Sequence, residues 1–372
     1  MKTSAAFRKA REYVPLGAMI IFALTIISIV LFIIVKLSTS FADFFNYYLT
    51  APIRAIISTL TAWIPFSIAE LLIISIPLWA TVLIVIGIKR AKISLKSAIR
   101  YLCFIICILC VIFMTFVWTY SSGYSTTEIN EKMGIERAEV SAKELYETAN
   151  WLVENINSLS DEIIYDADGA SVMTYSYWQL SSKLCDAYDV FIEKYGILHN
   201  FRSNIKPIIL SEPFTYTHIS GVYSFMTGES NLNVNYPDYI VASSAAHELA
   251  HQRGVAREDE ANFIAFMVGI GSDDPFIQYS AYLDVYQKVM NALYSADKKL
   301  HSDVASKLCD EAIGDRRAYS EMFKKYADSK TSEVSNSINN SFLQANGQQA
   351  GTKSYDMVTD LVVSYYKNSV KQ

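Results

Sequence analysis

The chain has 372 residues, of which 52% are hydrophobic and only 19% charged, a balance too apolar for an ordinary soluble protein. Its formal net charge of −5, with no long basic stripe away from the flanks of the apolar runs, argues against nucleic acid as a partner. Of the five cysteines, Cys107 and Cys110 are spaced Cys-x-x-Cys but lie inside an apolar run, so they give no sign of a thiolate zinc site.

Lys2, Arg8, Lys9 and Arg11 precede an uncharged run from Tyr13 to Val35, long enough as a helix to cross a hydrocarbon core of about 30 Å. The run exceeds a normal signal-peptide core, and Lys36-Leu37-Ser38-Thr39 is a poor cleavage site, so a retained anchor is expected. Residues 37–65 mix aromatics with few charges (Phe41, Phe44, Phe45, Tyr47, Tyr48, Trp63), as suits a segment at the membrane interface. Further spans are expected at 67–88, with Glu70 as an interfacial carboxylate near one end, and at 101–120. Cys103, Cys107 and Cys110 fall in that third run as small packing residues. Lys89, Arg90, Lys92, Lys96 and Arg100 separate the second and third spans, whereas only Lys36 and Arg54 lie between the first two. The positive-inside rule therefore expects a multi-pass protein of the cell membrane, with a cytoplasmic N-terminus and everything after Tyr120 outside.

Residues 121–372 read as one extracytoplasmic domain following a membrane part at 1–120. If that domain is exterior, Cys185 and Cys309 could form one disulfide. Apolar spacing predicts helices over 137–158 and 176–195, and strands near Ile208-Ile209-Leu210 and through 228–235. A helix beginning at Pro237-Asp238, or later near Ser243, should stop at Gly254. Helical patterns resume over 258–268, 278–294, 296–312 and 315–328. Ser329 to Lys353, rich in Ser, Asn and Gln, is expected to be a loop or partly ordered arm, and 355–366 to dock as a helix or strand.

The chemistry concentrates in His247-Glu248-Leu249-Ala250-His251. On a helix, residues four apart share a face, so His247 and His251 can present two imidazoles to one Zn2+, while Glu248 reaches a water on the metal as general base without coordinating. A catalytic zinc site takes a third protein ligand, and the metzincin position for a third histidine is Arg257. If Gly254-Val255 is the corner of a helical hairpin, Glu258 lies as far beyond the corner as His251 lies before it, level with the metal. Glu260 is the rival ligand. Asn262, opposite His247 in the same hairpin, could accept a histidine N–H through its side-chain oxygen. Glu258-Asp259-Glu260-Ala261-Asn262 is also close to the Glu-x-x-Ala-Asp of several gluzincin peptidases. An oxyanion would need a donor besides zinc, for which His218, Tyr223, Tyr279 and Tyr282 are candidates, and Phe225 to Val234 could form an edge strand for an extended substrate.

Three stretches together resemble one family: Gly221-Val222-Tyr223-Ser224-Phe225-Met226-Thr227-Gly228-Glu229-Ser230-Asn231, the motif through Gln252-Arg253-Gly254 with Arg257 to Phe263, and Tyr279-Ser280-Ala281-Tyr282. They are similar to bacterial membrane proteins grouped as domain of unknown function 3810 (DUF3810), and Phe342 to Gln348 with Ser354-Tyr355 resembles that family's C-terminal end. The resemblance implies a membrane-anchored zinc metallopeptidase of gluzincin type and supplies no substrate. The expected fold is thus three transmembrane helices carrying a mainly helical, zincin-like α+β domain outside the membrane. The expected reaction is hydrolysis of a peptide or protein of the cell envelope or exterior; the alternative is a non-catalytic zinc-containing sensor or scaffold.

Overall fold

The computed structural model describes residues 10–327 and 329–371. Lys2, Arg8 and Lys9, used above for orientation, and Asp328, the expected end of a helix, lie outside the described residues. Three helices are long and apolar enough to cross a membrane: α1 (Leu16–Leu37), α4 (Ile68–Ile93) and α5 (Leu95–Thr119). The last two run longer than expected, because the basic segment between them is helical up to Ser94. Ser94 ends α4 and caps α5, its Oγ accepting from the Ser97 N–H at 3.1 Å. Arg90 and Lys92 fall in the last turn of α4, where the helix dipole favours cations.

Between the first two spans, α2 (Thr39–Phe44), a π-helical turn (Phe45–Thr50) and α3 (Ala51–Ala62) lie against the hydrophilic domain. α3 is inside-out for a soluble protein. It buries Ala51, Arg54 and Ser58 and leaves Ile56, Leu60 and Trp63 exposed, the last at 84%. That is the pattern of a helix whose inner neighbour is polar protein and whose outer neighbour is apolar.

The hydrophilic domain is mostly helical. Serine-headed capping boxes at Ser141 and Ser176 start α6 (Ala142–Ser160) and α7 (Tyr177–Tyr195). α8 (Asp238–Gln252) carries the histidine motif, and α9 (Glu258–Ile270) returns antiparallel to it. α10 (Pro275–Ala296) packs on α6, α8 and α9, and the main apolar core lies among these four helices.

The expected helix over 296–312 is broken into α11 (Lys298–Ala305) and the start of α12 (Asp310–Lys325). Asp297 causes the first break, its carboxylate accepting from the backbone N–H groups of Lys299 and Leu300. The polar stretch expected as a loop is mainly a helix, α13 (Lys330–Ala345), capped by Ser329 and followed by a 3-10 turn (Gly351–Met357) and α14 (Val358–Tyr365). Cys185 and Cys309 are free: Cys185 is buried beside Arg253 and the Ser203 carbonyl, whereas Cys309 heads α12 against Asn157.

A three-stranded sheet of order β1-β3-β2 joins the two parts: β1 (Lys206–Pro207), β2 (Gly221–Ser224) and β3 (Glu229–Leu232). β3 pairs parallel with β1 and antiparallel with β2, so it is central, and the edge near the motif is β2 rather than the expected 225–234 segment. All four β3 residues are buried, three of them polar. Alternation sends them to two sides. Glu229 caps the start of α4 by accepting from Ile68 N–H (3.1 Å) and Ala69 N–H (2.9 Å), and Asn231 accepts from the Ser67 hydroxyl at 2.6 Å. Ser230 instead donates to the Glu248 carbonyl in α8 at 3.0 Å. At the same end of α4, Glu70 accepts from the N–H groups of Ile209 and Leu210.

Removing the Glu229 carboxylate strips two charge-assisted bonds from a buried helix start. Glu229→Ala should cost about 2 kcal/mol, read as a lowered Tm of the full chain in detergent micelles; an unchanged Tm would show that this clamp carries no stability.

Candidate metal centre

α8 and α9 form a hairpin whose corner is set by Gly254, at φ +97°. A side chain there would be strained by its backbone and would also collide with the Arg54 guanidinium. Arg54 reaches the corner from α3. It donates to the carbonyls of Thr119 (2.9 Å) and Arg253 (3.2 Å), and to Asn46 and Thr50 side-chain oxygens. Gln252 and Ser58 both donate to the Gly228 carbonyl, so the motif helix is fixed at its C-terminal end against membrane anchor and sheet together.

Within this frame the protonation of both histidines follows from their partners. The Val255 carbonyl, which can only accept, lies 2.7 Å from His251 Nδ1, so that nitrogen carries the proton. Asn262 Nδ2 donates to the Tyr355 carbonyl at 3.2 Å, which turns Asn262 Oδ1 toward His247 Nδ1 at 3.0 Å. That nitrogen also carries its proton. In the neutral imidazoles both Nε2 atoms then carry lone pairs, and both point at Glu258 Oε2, each at 3.3 Å.

Three acceptors thus face one another within 4.8 Å, all on buried residues. With the imidazoles neutral, Glu258 Oε2 has no donor, and the three acceptors repel one another unless a proton or a metal ion sits among them. Tetrahedral zinc with bonds of 2.0–2.1 Å separates adjacent N and O ligands by about 3.3 Å. The donor set and its spacing therefore fit zinc. Burial alone would raise the Glu258 carboxyl, but the histidines, as protonated donors in the metal-free site, outweigh it and hold it well below the usual carboxylate range; burial would lower His251, but the Glu258 charge raises it to about 9.

The acidic first turn of α9 distributes its three carboxylates differently. Asp259 pairs with Arg137 at 3.0 Å, and Glu260, the rival ligand, accepts from Arg257 (2.6 Å) and from the Ile129 N–H (2.9 Å). Only Glu258 is brought to the histidines.

Glu248 lies beside this group on α8, buried, with Oε2 lacking a hydrogen-bond partner. Burial pushes its carboxyl up to about 8; His251 opposes and the Glu258 charge reinforces the shift. Strand β2 passes against it so closely that a Cβ on Gly221 would lie 2.7 Å from Glu248 Oε1.

Of the expected oxyanion donors, the structure brings only Tyr223 to the site. Its phenol is buried, held protonated by burial with a pKa pushed up to about 12, and its hydroxyl is unspent. Tyr279 donates to buried Asp315 at 2.8 Å, Tyr282 packs among Trp151 and Phe266, and His218 Nε2 bonds the Tyr326 carbonyl at 2.8 Å. Two tyrosines not among the expected site residues do reach it. Tyr120 Oη lies 3.0 Å from His251 Nδ1, and the Tyr355 ring lies nearly parallel to His247 at 6.4 Å between centroids. Burial and the charge of Glu258 keep the Tyr355 phenol protonated.

Metal content separates these roles. The wild-type chain should hold one zinc after equilibrium dialysis, Glu258→Ala should lose it, Glu260→Ala should keep it, and Asn262→Ala should weaken binding by roughly 10-fold. Zinc lost from Glu260→Ala but kept by Glu258→Ala would reverse the assignment.

A family model described as protein of unknown function (DUF3810) matches residues 45–363. No curated protein and no solved structure matches the chain.

Proposed function

The chain belongs to the DUF3810 family, and from its own site we propose that it is a membrane-anchored, zinc-dependent metallopeptidase with a zincin-like domain. The observation that carries the reading is the convergence of His247 Nε2, His251 Nε2 and Glu258 Oε2, with each histidine nitrogen 3.3 Å from the carboxylate oxygen. Glu248, adjacent and uncoordinated, supports catalysis over a purely structural site, which four protein ligands would close.

Zinc, when bound, supplies Lewis acidity where the three ligand atoms meet. The remaining chemistry belongs to the chain. Glu248 takes a proton from the attacking water and delivers it to the leaving amine; a carboxyl raised toward neutrality suits both directions of transfer. Tyr223, protonated and with a free hydroxyl, donates to the oxygen on which negative charge develops. Asn262 and the Val255 carbonyl hold the imidazoles in one tautomer and orientation.

The proposed location is the exterior face of the cell membrane. The ends of α1, α4 and α5 that meet the metal domain lie opposite the cluster of Lys89, Arg90, Lys92, Lys96 and Arg100. A cytoplasmic basic cluster puts the domain outside. The proposed substrate is then a peptide or protein of the envelope or exterior.

A peptide library incubated with the full chain in micelles tests the reading. Glu248→Gln should keep its zinc and lose at least about 100-fold in turnover, and Tyr223→Phe should lower kcat by about 10-fold or more with zinc retained. Cleavage by Glu248→Gln at the wild-type rate would end the peptidase assignment.

A further inference from the structure

α13 replaces what the composition presents as a polar arm, and its outward surface is divided. At 100° per residue, Val334, Ala345, Ile338 and Phe342 fall on one arc of about 80°, while Glu333, Ser337, Ser341 and Gln344 occupy another. The inner arc carries Ser332, Asn339 and Leu343 against the domain. Val334 is 59% and Ile338 66% exposed, an apolar stripe that none of the described residues covers.

Both ends of α13 are fixed near the ends of membrane spans. At the C-terminal end, Lys36 Nζ in the last turn of α1 donates to the Ala345 carbonyl at 3.0 Å. The ring of Phe342 meets Phe116, in the last turns of α5, edge-on at 6.0 Å. At the N-terminal end, the Ser329 hydroxyl donates to the Tyr216 carbonyl at 2.9 Å. Tyr216 follows closely on Ile209 and Leu210, whose N–H groups are held by Glu70 in the first turn of α4, and Ile209 and Leu210 are themselves exposed. A helix about 24 Å long, tied at each end to the domain-side end of a span, runs along the plane that those ends define.

We propose that α13 is a monotopic helix lying in the bilayer interface, with Val334, Ile338 and the free side of Phe342 in the acyl boundary. The occupant of the stripe is lipid. The contact of the stripe with α5 carries this choice, since Phe342 at one end of the stripe packs on Phe116 of a spanning helix. The inference does not depend on the metal reading. It bears on the site, however, because Asn339 on the inner arc donates to the Tyr355 hydroxyl at 3.3 Å, so the element seated on lipid also holds the ring beside His247.

The full chain reconstituted in phosphatidylcholine–phosphatidylglycerol vesicles provides the test. An environment-sensitive fluorophore on Val334→Cys or Ile338→Cys, read over the background of the native cysteines, should be quenched by doxyl lipid several-fold more than one on Glu333→Cys, with aqueous iodide giving the reverse order. Iodide reaching all three alike would put the helix in water and overturn the proposal. Neither quencher reaching positions 334 and 338 would mean that protein covers the stripe, such as a second copy, and would overturn it equally. Should labels unseat the helix, a diazirine phospholipid in the same vesicles must mark peptide 330–345 of the unsubstituted chain; absence of that mark also refutes lipid contact.

Discussion

Arg54 is carried, 1% exposed, into the seam where α3, the end of α5 and the corner of the α8–α9 hairpin meet, and it has no carboxylate partner among the described residues. A guanidinium brought out of water without a counterion is costly unless its donors are filled. Here its two terminal nitrogens are served by the carbonyls of Thr119 and Arg253 and the side chains of Asn46 and Thr50, at the negative end of the α8 dipole, while Nε has no partner. Burial holds its pKa down to about 10, which still leaves it charged at neutral pH. The requirement is reciprocal. Those carbonyls need the guanidinium as much as it needs them, and Gly254 must lack a side chain to let it approach. The position of the motif helix, and with it the spacing of His251 and Glu258 across the corner, follows from this packing.

The metal centre uses the same economy of partners. The acids of the first turn of α9 have separate counterparts: Asp259 has Arg137, Glu260 has Arg257, and Glu258 has only the two histidines. A solvated acidic turn would leave such carboxylates interchangeable. Burial makes them distinct, because each buried charge must be answered at one place.

Much of this was legible in the residues. His247 and His251 share a face by their four-residue helical spacing, and the meeting of Glu258 with them follows from counting away from Gly254, since both are local geometry. The apolar runs announced the three spans for the same reason. What local pattern does not encode was missed. Tyr120 and Tyr355 reach the histidines from 131 and 108 positions away, and in a chain with 25 tyrosines nothing marks those two. Arg54 counted only as a loop charge, because a buried guanidinium served by carbonyls has no sequence signature. α13 was hidden by its Ser, Asn and Gln content: four apolar positions in sixteen suffice for a stripe when the remaining faces meet polar protein and water.

The polar residues of β3 and the underside of α3 also bear on how the domain could leave its membrane. A tethered domain is set free by one cut only if the tether is all that holds it. A nick between Tyr120 and Ser121 would sever the covalent link after α5, yet Glu229 would still grip the start of α4, Ser58 the Gly228 carbonyl and Arg54 the hairpin corner. The severed halves would stay together as a two-chain complex. A single cut after α5 would thus leave the domain bonded to the segment between α1 and α4 and to the start of α4.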